Sequence, residues 1–466
     1  MDYNNLPKSF CILPWIHSAI NPDGTVRQCC VSQPWSATVG SLSNNTLEEI
    51  FNDAPLRELR KQLLTGERLP ESCLSCRLRE DADTKVFSYR QGTNAKYRDV
   101  IETLQPDPDG YAEFQQLYID YRFSNKCNFK CVSCGPSLSS SIGQERIKVE
   151  QLKNPHVDPA RIKQSMPPAF IEVDTQKFYK EFLKFSTTIR EIYFAGGEPL
   201  INDHHYELLE HFIETQQPVS IFYNTNFSEL NYKGKNVIEM WRKINGPVNI
   251  YASIDGYGET GETIRDGFST AVFEENVKKY ISAKLTKVLP AVTVNKQHQI
   301  GFCITFGLTN YDKVIDTARW LLTMVHASMD ANGIMPTKPS AELDNLYYPA
   351  INFNPIIEPA PMSVTFLNEE QRAQVVNKIE QQLLELRNDS QFGAVFGHDR
   401  LLQEIHDNFL GYIKRVELRP TINYQILSST IEILDSAEEL RESNWRKTLA
   451  PMYKIWSDAL NNEGKQ

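Results

Sequence analysis

Cys127, Cys131 and Cys134 fall within eight residues, spaced C-x3-C-x2-C, directly after a strand-like run at 116–123. Three thiolates can hold three irons of a four-iron, four-sulfur (4Fe-4S) cluster, and the fourth iron then lacks a protein ligand; electron carriers normally fill that corner with a fourth cysteine. An open corner suits chemistry at the metal, by the logic that separates catalytic from closed zinc sites. Three structural zinc thiolates are the plainer alternative, and the triplet alone does not exclude them.

Two further motifs follow in order. Gly196, Gly197, Glu198 and Pro199 come after a strand-like 191–195. Ser253, Asp255 and Gly256 end another strand-like run, and Arg265 lies twelve residues after the serine. Paired glycines let backbone approach a ligand where a Cβ would clash. Glu198 offers a carboxylate to a cationic group, and Pro199 stiffens the turn. Ser253 and Asp255 present oxygens suited to ribose hydroxyls, although Asp255 can equally serve only to shape the turn before Gly256. Arg265 suits a carboxylate through a charge-assisted pair. Thr225 and Asn226 are weaker candidates of the same kind.

The cysteine spacing followed by these motifs resembles the radical S-adenosylmethionine (SAM) superfamily. The resemblance implies SAM bound at the open iron of a 4Fe-4S cluster on Cys127, Cys131 and Cys134. The loop Gly196, Gly197, Glu198, Pro199 would meet the SAM amino group, with Ser253 and Arg265 on its ribose and carboxylate. It implies reductive cleavage of SAM to methionine and a 5′-deoxyadenosyl radical, which takes a hydrogen atom from a substrate. It also implies a reducing electron donor such as a flavodoxin or ferredoxin, and it leaves the hard step to the cofactor.

Five more cysteines lie in the first ninety residues: Cys11, Cys29, Cys30, Cys73 and Cys76. Pro22, Asp23 and Gly24 predict a hairpin turn. Thr46 and Glu49 predict a capping box at the start of a helix. Pro55 restarts the helix with Leu56, Leu59 and Leu63 at helical spacing, and Gly66 ends it. Adjacent side chains on an extended strand point to opposite faces, so Cys29 and Cys30 are not expected to ligate together. From spacing alone, zinc and an iron–sulfur cluster both fit. The order Cys11, Gly24-x4-Cys29, helix, Cys73-x2-Cys76 is similar to the SPASM and twitch auxiliary-cluster modules of radical SAM enzymes. That resemblance implies a second iron–sulfur cluster on Cys11, Cys29, Cys73 and Cys76, with Cys30 an alternative to Cys29. His17 is read as a core or surface histidine, and 77–110 as a connector.

From residue 111 to 355 strand-like and helix-like segments alternate. The expected strands are 115–121, 190–195, 218–224, 247–253, 298–306 and 350–354, with helices between them. This predicts an α/β domain with a parallel sheet, and six such units match the superfamily's partial (β/α)6 TIM-like barrel. Each motif lies at the C-terminal end of an expected strand, where active sites of such barrels gather. On the strand 299–307, Ile300, Phe302, Ile304 and Phe306 share one face, which turns Cys303 inward. An inward thiol could return a hydrogen atom to a substrate radical, or simply fill the interior. His204, His205 and His211 are read as helix-surface or packing residues, and 137–172 as a surface excursion, with a flexible lid as the alternative. Residues 356–466 read as helical, with Val375, Ile379, Leu383 and Leu386 on one stripe and Leu402, Ile405, Phe409 and Ile413 on another. The expected domains are therefore 1–95, a small Cys-rich module; 111–355, the barrel; and 356–466, a helical extension.

A net charge of −10 with no long basic run argues against generic nucleic-acid binding. No apolar stretch approaches membrane-spanning length, and the first residues lack the basic and apolar regions of a signal peptide. An odd cysteine count in short-spaced groups reads as metal ligation in a reducing compartment, which places the expected protein in the cytoplasm. The sum is a radical SAM enzyme with a peptide or protein substrate. The rival expectations are a non-catalytic metal-binding scaffold and a radical enzyme acting on a small molecule or nucleic acid.

Overall fold

The computed structural model describes residues 1–32, 38–81, 88–285, 299–333, 349–395, 397–418 and 423–463. The chain forms two compact units, one of residues 1–126, 170–222 and 244–246, the other of 127–169, 223–243 and 247–466. The strands used below are, in chain order, β1 (His17–Ile20), β2 (Thr25–Arg27), β3 (Gly40–Ser41), β4 (Tyr118–Tyr121), β5 (Glu191–Phe194), β6 (Ser220–Thr225), β7 (Val248–Ser253), β8 (Gln299–Phe306) and β9 (Ile351–Pro355). The last six each overlap an expected strand.

In the first unit the strand order is β5-β4-β1-β2-β3. β1 and β2 form the expected hairpin, turned at Gly24 with φ +78°, a conformation that costs glycine little. β1 then pairs parallel with β4 from His17↔Tyr118 to Ile20↔Tyr121, and β4 pairs parallel with β5. Strand alternation splits the side chains by face. Tyr121 stacks on Phe178 at 3.8 Å, and Phe123 on Phe194 at 5.4 Å, which puts the aromatic face against helix Thr175–Phe185. Tyr118, Asp120 and Arg122 share the opposite, polar face. His205 is fully buried edge-on to Phe194 and Tyr206, and His17 stacks on Tyr118, so both pack as expected.

The helices after β3 start and stop where their caps predict. Thr46 and Glu49 form the capping box of Leu47–Phe51, Asp53 caps Ala54–Thr65, and the Gly66 N–H closes the end on the Gln62 carbonyl. Arg60 is buried and donates to the carbonyls of Pro14 (2.9 Å) and Gly110 (3.0 Å), which fixes this helix against both ends of the module. The connector expected at 77–110 is instead largely helical, with helices Leu74–Asp81, Tyr89–Lys96 and Arg98–Thr103. Polar contacts hold Tyr89–Lys96, where Asn94 accepts from the Ile12 N–H and donates to the Phe10 carbonyl, which Arg90 also engages, while Arg98–Thr103 buries Val100 and Ile101.

In the second unit β7, β8 and β9 run parallel, with Ser253↔Cys303 and Cys303↔Asn352 in register. Phe302 meets Phe273 of helix Thr270–Leu285, and Phe306 meets Phe409, so the bulky face of β8 packs on helices as expected. Both C-terminal stripes are buried. Trp456 closes this region by donating to the Pro361 carbonyl at 2.7 Å. The segment expected as a surface excursion forms helices Ser140–Lys153 and Pro159–Ser165. It is not idle: Ser139 donates to the Phe129 carbonyl and Ser141 to the Cys127 carbonyl, each at 2.7 Å, so it buttresses the cysteine loop. Among the described residues no helix is long and apolar enough to cross a membrane.

Candidate functional site

The cysteine loop of the second unit is held by backbone. Lys130–Cys131 pairs antiparallel with Arg265–Asp266, bringing Arg265 opposite Cys131. The Val132 N–H reaches the Ile264 carbonyl at 2.8 Å, and the Cys134 N–H reaches the Cys131 carbonyl at 3.0 Å. Asn128 bonds Ser228 at 3.0 Å and accepts from Asn226 at 2.8 Å. Asn226, a weaker ligand candidate from sequence, thus shapes this loop.

Arg265 is buried, and its guanidinium hydrogen-bonds the Cys131 thiol. Burial disfavours its charge, but Cys131, Asp255 and Cys127 outweigh that and hold its pKa above the ordinary value. Its Nε is buried without a hydrogen-bond partner. Burial pushes the Cys131 thiol up, opposed chiefly by Arg265, and pushes Cys134 up to about 12 with Cys131 as the next cause. Thiols raised in this way ionise only beside a compensating cation, which metal ligation supplies. The donor set, with an orphaned N–H beside it, fits an iron–sulfur cluster carrying a small anionic ligand. Among the described residues no three His, Cys, Asp or Glu side chains stand close enough to hold a single metal ion; a cube of four irons spreads its thiolates wider than one tetrahedral ion does.

Ser253 ends β7 half-buried, beside Cys303. Asp255 is buried, accepts from the Thr305 N–H at 3.0 Å and lies 3.7 Å from Arg265 Nη1. That fits the turn-shaping reading better than a ribose contact. Cys303 is buried between Asn224 (4.0 Å) and Asn352 (3.9 Å), and burial pushes its thiol up to about 11. It therefore stays protonated at neutral pH.

In the first unit, Gly196 and Gly197 both have positive φ, +75° and +54°. A Cβ on Gly196 would strike the Arg122 side chain at 2.7 Å, and one on Gly197 the Lys126 carbonyl at 2.4 Å. The sequence suggested room for a ligand; the immediate need is room for the chain just before Cys127. The Glu198 N–H bonds the Lys126 carbonyl at 2.7 Å, and its buried carboxylate caps the Leu200 N–H at 3.0 Å, ahead of Pro199 in a short 3-10 turn.

The N-terminal cysteines sort themselves by neighbours. Burial raises the thiol of Cys11, with Cys73 and Cys76 adding to it. Cys29 is raised by burial and by Cys30, Cys11 and Cys73, and Cys73 is pushed up to about 11 by burial and Cys76. Cys76 is raised by burial. Cys30 faces other company: burial and Asp120 push it up to about 12, and it hydrogen-bonds Tyr89. Cys29 thus shares the environment of Cys11, Cys73 and Cys76, while Cys30 shares that of Asp120 and Arg122. Sequence alone left the two open, because choosing needs the position of β4.

These features set two groups of cysteines apart, Cys127, Cys131 and Cys134 in one unit and Cys11, Cys29, Cys73 and Cys76 in the other, each with a donor chemistry that fits an iron–sulfur cluster. Residues 121–299 match the model of the radical SAM superfamily, and residues 11–77 match that of an iron–sulfur cluster-binding domain, SPASM. Residues 121–299 thus carry a radical SAM domain, with a SPASM domain N-terminal to it. The chain's fold is mixed α/β, consistent with a partial TIM-like core, and its cofactors are a 4Fe-4S cluster with SAM and further iron–sulfur at the SPASM domain. The family uses an external electron donor. No curated protein matches the chain.

Proposed function

We propose that Cys127, Cys131 and Cys134 hold the SAM-binding cluster, that Cys11, Cys29, Cys73 and Cys76 hold a second one, and that the substrate is a peptide or protein. The observation that carries the first part is the buried Arg265 beside Cys131, with an unpartnered Nε. When bound, the cluster and SAM supply reductive carbon–sulfur cleavage and hydrogen-atom abstraction. The chain's own residues bind, orient and exclude water. Arg265 takes the SAM carboxylate, Ser253 a ribose hydroxyl, and the Gly196, Gly197, Glu198, Pro199 loop the amino group; Asp255 keeps Thr305 and Arg265 in place. Cys303, protonated and inward, would give a hydrogen atom to the substrate radical, and the thiyl radical left on its sulfur would return to the thiol by taking one electron from the external donor and a proton. The presence of an auxiliary module supports the peptide or protein reading over small molecules and nucleic acid. The protein acts in the cytoplasm.

The test is anaerobic reconstitution with iron and sulfide, followed by SAM and a strong reductant. 5′-Deoxyadenosine is expected, and replacing Cys127, Cys131 and Cys134 together by alanine should abolish it. Full iron loading with no cleavage would instead favour a scaffold that kept the fold. A deuterated peptide should pass its label to 5′-deoxyadenosine; stimulation by small molecules alone would overturn the substrate class. Cys303→Ala should leave SAM cleavage intact and suppress product. Unchanged product yield would remove the thiol from the mechanism.

A further inference from the structure

The helix Tyr424–Arg441 ends at the cysteine loop. Arg441, in its last turn, forks onto Glu145 of helix Ser140–Lys153 with two bonds of 2.7 and 2.6 Å. Its third nitrogen donates to the Lys130 carbonyl at 2.8 Å, one residue before Cys131. Asp266, on the facing strand of the ribbon, lies 3.2 Å from its Nε and 2.7 Å from the Lys130 ammonium. Trp445 covers the guanidinium at 4.7 Å. The side chains of Arg441 and Glu145 are only 7% and 10% exposed. Both line a cavity of about 180 Å³ that reaches Cys131 and Cys134. A pair this buried returns little stability over apolar packing, because desolvation offsets the attraction. A tie made only to hold two helices would be served as well by leucines.

We propose that Arg441 is a positioning residue for the three-cysteine cluster: its fork fixes the segment carrying Cys131, and its charge favours the reduced cluster. This rests on the reading that Cys127, Cys131 and Cys134 hold that cluster. The Arg441 guanidinium sits on the Lys130 carbonyl, one residue from Cys131, which Arg265 faces across the ribbon. Reduction adds one more negative charge to the same place, so a second buried cation makes it easier. The carbonyl bond acts on geometry instead, as supporting partners of metal ligands do.

The experiment uses the reconstituted full chain and three variants: Arg441→Lys, Arg441→Met and Glu145→Gln. Iron release to a chelator and the midpoint potential are followed on the electron-paramagnetic-resonance signal that changes when SAM is added. Arg441→Met should release iron about tenfold faster, the scale typical for loss of a ligand's supporting partner, and should lower the potential. Arg441→Lys keeps the charge but not the fork, so it should release iron faster at a nearly unchanged potential. Glu145→Gln removes a negative charge and should raise the potential, which gives a reading of opposite sign if Arg441→Met does not fold. Wild-type release rates and potentials in the variants would overturn the proposal. If instead alanine at Cys127, Cys131 and Cys134 left the SAM-responsive signal intact, the underlying ligand assignment would fall, whatever Arg441 does.

Discussion

The two cysteine sites solve the burial of thiols differently. The N-terminal set offers four neighbouring thiols, Cys11, Cys29, Cys73 and Cys76, with Arg90 as the cation near Cys11, Cys73 and Cys76. Arg90 is itself committed to Glu80 at 2.6 Å. The loop at 127–134 offers three thiols, and Arg265 and Arg441 both act on Cys131. Four sulfurs around a cluster complete its protein shell, whereas three sulfurs with a cation leave one corner and one charge for something else. The contrast teaches that an open site is marked by its positive neighbours as much as by a missing cysteine.

The largest expected break in this comparison is the double variant Cys73→Ala, Cys76→Ala. It should lose roughly half the iron of a two-cluster protein and keep some SAM cleavage uncoupled from product. Iron content equal to wild type would mean that the N-terminal set holds no cluster. Within that set Cys29→Ala should lose the same iron, while Cys30→Ala should retain it. The reverse result would exchange the two assignments.

A smaller effect separates both sites from the sheet. Burial lowers the His205 pKa from 6.5 to about 3. The unfolded chain therefore takes up a proton near pH 6.5 that the folded chain refuses until about pH 3. Stability falls as pH drops through that window, by about 1.4 kcal/mol per pH unit for such a group. Urea unfolding of the metal-free protein at pH 7 and pH 5 should show a shallower acid loss in His205→Phe than in wild type. Equal losses would remove this histidine as a source of acid sensitivity.

Much of the frame was legible in the chain. Cys127, Cys131 and Cys134, the β1–β2 turn and the capping box at Thr46 are local patterns, and local patterns survive in sequence. What escaped was non-local. Asn94 and Arg90 anchor the helix Tyr89–Lys96 through a backbone carbonyl eighty residues away. The sequence does not reveal that the carbonyl of Lys126 sits against Gly197. Arg441 reaches Lys130 across more than three hundred residues, and no periodicity announces such a partner. Charged residues near the loop carried no signal beyond their count.

The parallel pairing of β1 with β4 limits how this protein can be taken apart. A fragment beginning at residue 111 would leave Tyr118–Tyr121 without the neighbour it now has on that side. Exposed strand margins of this kind recruit other chains, so the truncated piece should clump rather than report on a barrel working alone. Swapping the N-terminal segment among relatives would require the replacement to carry its own matching strand.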